Sequence, residues 1–289
     1  MDPGRIGAFA YVDTIGRAEL PAFARTLERL GYSIFWIPET FGRDPFVLAA
    51  HLLSATERLV IASGIANVWK RDAIATAGAA RTLAELFDER FILGLGVSGG
   101  PFMRRNGLRY ERPLTYMREY LARMKTAPFK APPPAHEPPL MIAALLPKML
   151  ELARRDTHGT IAAMVPPERL VAMRAALGPG KWLCAQQIVM LETDAKKARC
   201  AARRFLNFYL NAPPYQRNLR AMGFGDDDLS GGGSDRLIDT LIAWGDERRI
   251  RERTAAFFQA GADHVYLSAL SSSGGLYPEM RALEALAPN

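Results

Sequence analysis

Eight strand-like apolar runs alternate with stretches of helical apolar spacing along nearly the whole chain. No other feature constrains the fold as strongly. Strands are expected at residues 6–12, 33–38, 58–66, 90–97, 140–144, 159–165, 182–191 and 262–270. Helices are expected at 17–30, 45–57, 73–87, 113–125, 147–155, 167–177, 194–210, 235–244, 247–260 and 278–286. Local signals agree with several of these boundaries. Gly31 follows the first helix where a C-cap tolerates only a residue free of Cβ strain. Asp44 before Pro45 is an N-cap and first-turn pair. Strict alternation implies a parallel sheet. Eight units in 289 residues match the size of a (β/α)8 barrel, whereas a doubly wound open sheet usually stops at about five or six strands. The expectation is one TIM barrel domain over residues 1–289. A Pro-rich strap is expected at 131–139, and a loop and helix insertion before the last strand. Residues 212–235 read as irregular, with Asp226-Asp227-Asp228 and Gly231-Gly232-Gly233 marking a surface loop.

Composition narrows the functional classes. Apolar residues at 49% and charged residues at 23% argue against disorder and coiled coil. Two cysteines, Cys184 and Cys200, are too few for a disulfide framework and fit a reducing compartment. No apolar run reaches the about 18 residues of a membrane span, and Met1-Asp2-Pro3-Gly4 lacks the order of a signal peptide. An intracellular, cytoplasmic protein is expected, with no membrane partner. The 37 basic against 30 acidic residues leave a net charge of +7. The basic pairs at 104–105, 154–155, 203–204 and 248–249 are scattered, so no nucleic-acid footprint is expected.

In a barrel, the site gathers at the C-terminal ends of the strands. Glu39 lies just past the second strand, where a carboxylate hydrogen-bonds a cofactor ring or serves as an acid or base; a surface salt bridge is the plain alternative. Asn67 ends Ser63-Gly64-Ile65-Ala66 and suits either a site or a turn. Gly94-Leu95-Gly96-Val97-Ser98-Gly99 matches the GxGxxG dinucleotide pattern in letters only. It follows the fourth strand, and Glu111 comes too early for the acidic partner of a Rossmann unit. Close approach of strands and ligand explains its glycines. Ala144-Leu145-Leu146-Pro147-Lys148 runs from a strand end into a helix whose free amides favour an anion; an ordinary strand–helix turn explains it equally. The four histidines lack metal spacing and there is no CxxC, so no metal site is expected. The absence of G-x-S-x-G leaves a serine hydrolase unsupported.

Several segments, taken in order, resemble one family. They are residues 35–39 (FWIPE), 55–59 (ATERL), 63–67 (SGIAN), 81–86 (RTLAEL), 90–96 (RFILGLG), 143–150 (AALLPKML) and 260–265 (AGADHV). Together they resemble the luciferase-like flavin and deazaflavin enzymes, in particular the F420-dependent oxidoreductases. The resemblance implies a (β/α)8 barrel, a homodimer, and a ring lying across the barrel mouth. It implies a non-prolyl cis peptide at the third strand's end, within Ser63-Gly64-Ile65-Ala66 and beside Asn67. It places the cofactor phosphate near Ala144, Leu145, Leu146, Pro147 and Lys148, and the acidic residue at Glu39, the expected catalytic group. Thr40, Ser98 and Gly99 complete the expected cofactor contacts. Three positions depart from the pattern: Thr40 where many relatives carry histidine, Gly99-Gly100 where some sugar-phosphate dehydrogenases carry glutamate, and Leu146 where glycine usually precedes the proline.

The function implied is hydride transfer between F420 and a small organic substrate, the deazaflavin supplying the chemistry. Two alternatives remain open at this point. One is an FMN-dependent two-component monooxygenase, distinguished by its oxygen chemistry. The other is a non-catalytic flavin- or deazaflavin-binding protein, motivated by Thr40, Gly99 and Leu146.

Overall fold

The computed structural model describes residues 2–40, 42–274 and 278–288. The first half of the chain carries β1 (Ile6–Phe9), α1 (Glu19–Arg29), β2 (Ile34–Ile37), α2 (Pro45–Leu53), β3 (Val60–Ser63), β4 (Ala66–Asn67), α3 (Ala73–Leu86), β5 (Phe91–Gly96), α4 (Gly100–Arg105), α5 (Pro113–Lys125) and β6 (Leu140–Ala143). The second half adds α6 (Pro147–Asp156), β7 (Gly159–Ala162), α7 (Pro167–Leu177), β8 (Trp182–Leu191), α8 (Ala195–Leu210), α9 (Pro213–Ala221), α10 (Asp226–Leu229), α11 (Asp235–Leu241), β9 (Ile242–Gly245), α12 (Glu247–Gln259), β10 (His264–Ala269) and α13 (Met280–Ala285). All pairings are parallel, and β10 pairs with both β1 and β8. The sheet therefore closes into an eight-strand barrel of β1, β2, β3, β5, β6, β7, β8 and β10, as the alternation predicts.

The local signals act as read. The Asp44 carboxylate accepts from the Phe46 and Val47 amides at 2.9 and 3.2 Å, which satisfies two orphan donors at the start of α2. Gly31 sits just past α1 at φ +82°.

Four stretches differ from the sequence reading. The run at 58–66 is not one strand: pairing stops after Ser63 and resumes in β4 against β5. Residues 242–244 are not helical. The outer half of β8 extends past its last partner on β7, Ala162 against Ala185, and its free backbone groups need partners. β9 supplies them along Ile188–Leu191. Residues 100–105 form the short helix α4, and 212–235 hold α9 and α10 instead of irregular chain. Burial of Leu219 and Phe224 in one cluster with Leu206, Leu237, Ile238 and Trp244 recruits α9 where composition alone read as loop.

The barrel interior is aromatic. Phe9, Trp36 and Tyr266 fill it with Ile92, Met141, Ile161 and Cys184, and Trp36 stacks on Tyr266 at 5.1 Å. At the barrel floor the Trp36 indole N–H donates to His264 Nε2 at 3.0 Å. With Nε2 accepting, the ring proton is on Nδ1, which donates to Gly4 O at 2.9 Å. Burial lowers the His264 pKa from 6.5 to about 4. The unfolded chain thus takes up a proton at this group before the folded one does, so stability falls as pH drops from about 6.5 to about 4 and levels below that. The slope from one group is at most about 1.4 kcal/mol per pH unit, or about 3 kcal/mol over the window. Urea unfolding at pH 7, 5 and 4 is expected to show His264→Asn losing less stability on acidification than the wild type. Equal losses would remove His264 from the acid sensitivity.

Candidate functional site

At the end of β3 the chain turns through a cis peptide between Gly64 and Ile65, within the stretch where the family resemblance implies one. Neighbouring strands hold this bulge. The Gly64 amide donates to Ile37 O at 2.8 Å, and the Glu39 amide donates to Ile65 O at 3.2 Å. Ser63 Oγ donates to Gly94 O at 2.8 Å and accepts from the Gly94 amide at 2.9 Å. Two glycines of the GxGxxG-like run make room for it. A Cβ on Gly94 would lie 2.0 Å from Ser63 O, and one on Gly96 would lie 2.5 Å from Ile65 Cγ1. The run is therefore a packing device for the bulge.

Glu39 is fully engaged from below. Its carboxylate accepts from the Asn67 amide at 2.6 Å and from both terminal nitrogens of Arg71 at 2.5 and 2.8 Å. Lys70 Nζ lies 3.4 Å away. The Glu39 side chain is 3% exposed, and Arg71 reaches on to Asp44 at 3.0 Å. Burial disfavours the Arg71 charge, but the Glu39 and Asp44 carboxylates outweigh it and raise its pKa. A carboxylate so paired is poorly placed to exchange protons with a ligand. It fastens the Asn67 end of the bulge instead.

The other expected site residues separate into two groups. The side chains of Ser63, Ala66, Asn67 and Ala144 are buried and committed to the framework. Asn67 Oδ1 accepts from the Trp69 amide at 3.0 Å, and its Nδ2 donates to Met103 Sδ at 3.0 Å. Thr40 faces Asp13, to which its hydroxyl donates, and its carbonyl accepts from Lys70 at 2.5 Å. Gly64, Ile65, Ser98, Gly99, Leu145 and Leu146 stay partly open at the rim. Ser98 has φ +54°, and a Cβ on Gly99 would come within 3.5 Å of Ala212, so the loop after β5 sits beneath the start of α9.

At the next strand end, Leu146 is the extended N-cap of α6 with Pro147 following and no side-chain cap. Lys148 is exposed. Arg169 on α7 donates to Leu145 O at 3.2 Å, while its Nε is buried without a partner. Pro147 has no N–H and the Met149 and Leu150 amides donate to Leu146 O, each at 3.0 Å, so the donors left at this corner are the Lys148 amide and ammonium and the Arg169 guanidinium.

Sequence reasoning missed Lys70, Arg71 and Arg169. The adjacent Lys70-Arg71 pair just past a strand end was the available signal for the first two. An arginine in a helix's first turn, where the dipole disfavours a cation, was the signal for the third. Among the described residues no group of three potential metal ligands occurs, and no helix is long and apolar enough to cross a membrane.

Known proteins match this architecture. A 5,10-methylenetetrahydromethanopterin reductase of Methanolobus tindarius is 26% identical over 66% of this chain and 67% of its own. A Mycobacterium tuberculosis chain assigned to the coenzyme F420-dependent oxidoreductases is 25% identical over 93% of both chains. Among solved structures, an F420-dependent secondary alcohol dehydrogenase bound to an F420–acetone adduct superposes with a TM-score of 0.76 at 16% identity, covering 98% of this chain and 96% of that one; that likeness speaks for the fold. The family model for luciferase-like monooxygenases matches residues 1–264. With the closed barrel and the bulge after its third strand, that match shows that the chain belongs to the luciferase-like monooxygenase family.

Proposed function

We propose that this protein is an oxidoreductase that binds the deazaflavin F420 across the barrel mouth and passes a hydride to or from a small organic substrate. The observation that carries this reading is the Gly64–Ile65 bulge, held by Glu39 and Arg71 and accommodated by Gly94 and Gly96. It offers a backbone ledge at the mouth, with Ile65 partly open above it. The relatives named for F420 support the choice of cofactor. The residues present fit such a group. Gly64, Ile65, Ser98 and Gly99 would face the ring. The Lys148 amide and ammonium, with the Arg169 guanidinium behind them, would hold its phosphate.

When bound, F420 supplies the hydride chemistry. The chain orients it and fixes the field around it. Glu39 and Arg71 hold the ledge from beneath, Thr40 and Asp13 tie the loops after β1 and β2 together, and Ser63 locks the strand under the bulge. The homodimer and the cytoplasmic setting belong to the same reading.

A fluorescence titration of the purified protein with F420 and FMN in parallel tests it. F420 is expected to bind at least about tenfold more tightly than FMN. The reverse preference would point to the monooxygenase reading, and binding of neither would overturn the proposal.

A further inference from the structure

Three tyrosines from separate elements meet past the end of β1, and a fourth, Tyr266, lies in the barrel interior against Phe9, the ring that Tyr11 covers. Tyr11 follows β1 and stands edge-on over Phe9 at 5.2 Å. Tyr266 on β10 is 2% exposed. Tyr209, in the last turn of α8, meets Tyr215 of α9 at 5.3 Å. The Tyr11 and Tyr209 hydroxyls hydrogen-bond to each other. Two hydroxyls carry two protons and that bond uses one, so one donor is left over.

Other polar groups here are also unused. Among the described residues, the hydroxyls of Tyr215 and Tyr266 make no hydrogen bond. Neither does the Gln186 side chain, which is 6% exposed and pairs in register with Tyr266. These atoms are not among the side-chain atoms sealed from solvent without a partner, which among the described residues are Arg169 Nε, Gln187 Oε1, Asn218 Oδ1 and Arg253 Nε; they are unspent hydrogen-bonding groups that solvent or a ligand can reach. Several such groups set among aromatic rings offer a ligand hydrogen bonds in an otherwise apolar surround.

The surroundings define the ligand's chemistry. Burial raises the pKa of all four phenols, and the groups acting on them through space are one another and the thiol of Cys184. No carboxylate or cation is among them, so a charged ligand would lose its hydration with no countercharge. The walls are rings: Phe9 and Trp36 below, Phe205 beside Tyr209 at 5.1 Å. The same bed underlies the bulge, since a Cβ on Gly64 would lie 3.3 Å from Trp36 and 3.9 Å from Phe9.

We propose that Tyr11, Tyr209, Tyr215 and Tyr266, with Gln186, form the substrate site, and that the substrate is a neutral, flat, mainly apolar compound whose carbonyl or hydroxyl oxygen these groups hydrogen-bond. This deepens the F420 reading and rests on it only for where the reacting ring lies. The class follows from these groups: the ring faces bind the body, and the unspent hydroxyls select the oxygen.

The probes are acetophenone and its oxygen-free isostere 2-phenylpropene. Their binding is followed by calorimetry, with and without F420, in the wild type and in Tyr11→Phe, Tyr215→Phe and Tyr266→Phe. The wild type is expected to prefer acetophenone by about tenfold, as for one hydrogen bond left unmade. The preference is expected to shrink to about twofold or less in the variants, with F420 affinity unchanged. Should Tyr266→Phe not fold by circular dichroism, the other two variants decide the outcome. Equal binding of the two probes by the wild type, binding of neither, or an undiminished preference in the variants would overturn the proposal. A tenfold loss of F420 affinity in the phenylalanine variants would also overturn it, by assigning the hydroxyls to the cofactor. The cofactor-free arm separates the two readings: a preference for acetophenone without any F420 binding would sustain the oxygen site and remove F420.

Discussion

Gly94→Ala is expected to leave little or no soluble, folded protein. The added methyl would sit 2.0 Å from the Ser63 carbonyl oxygen and 2.6 Å from Ile161 Cδ1. Neither can withdraw cheaply. The first is backbone, held to β5 through the Ser63 hydroxyl on both its donor and acceptor sides. The second is buried inside the barrel. Overpacking typically costs about 1–3 kcal/mol; backbone as the obstacle should push this to at least about 4 kcal/mol, the range that marks exceptional substitutions. Gly96→Ala should behave differently. Its nearest obstacles are Cγ1 and Cδ1 of Ile65, the partly open end of a side chain. That variant is expected to fold, to lose about 1–2 kcal/mol, and to bind F420 at least about tenfold more weakly because Ile65 is pushed into the ring's place. Gly78→Ala is the control: in α3, with nothing within 4 Å, it should gain about 0.5–1 kcal/mol from helix propensity. Soluble yield, urea unfolding and F420 titration read all three. A Gly94→Ala protein as stable as the wild type would show that the strand contact is looser than described.

The second large effect is expected at Glu39. Removing its charge leaves the Arg71 guanidinium, 14% exposed, and Lys70, 21% exposed, without their shared carboxylate. Breaking a buried pair from one side costs about 3–5 kcal/mol; the partial exposure of both cations places Glu39→Gln toward the lower end. Of the two cations that lose this carboxylate, Arg71 keeps only the Asp44 carboxylate; Glu39→Gln combined with Arg71→Met removes that one and should recover part of that loss. Turnover on any substrate found is expected to fall at least about tenfold in Glu39→Gln. The cause is separable. If Glu39 acts by holding the Asn67 end of the bulge, F420 affinity falls with it and turnover returns at saturating F420. A loss that persists at saturation would place Glu39 on the reacting atoms. Unchanged stability and turnover would remove it from both roles.

Local signals carried the elements themselves. The Asp44-Pro45 cap, Gly31 after α1 and the apolar spacing of each βα unit are written within a few residues, because helix and strand periods and caps are short-range. The stretch 63–67 was also legible, as a motif. Failures came where long-range demand overrode local pattern. Residues 242–244 look helical next to α11 but are drawn into β9 by the unpaired edge of β8. Residues 213–221 and 226–229 become helices within a segment whose composition reads as loop.

The sequence by itself determined the eightfold alternation, and with it a closed parallel barrel whose strand ends must carry the site. Only the tertiary structure decided what the residues at those ends do. Glu39 meets Arg71, 32 positions on; Ser63 meets Gly94, 31 positions on; Tyr11 meets Tyr209, 198 positions on. Whether a carboxylate is free or paired, a glycine open or crowded, or a hydroxyl spent or spare depends on a partner from another strand or helix. Closure of the barrel brings those partners together, and no local period encodes them.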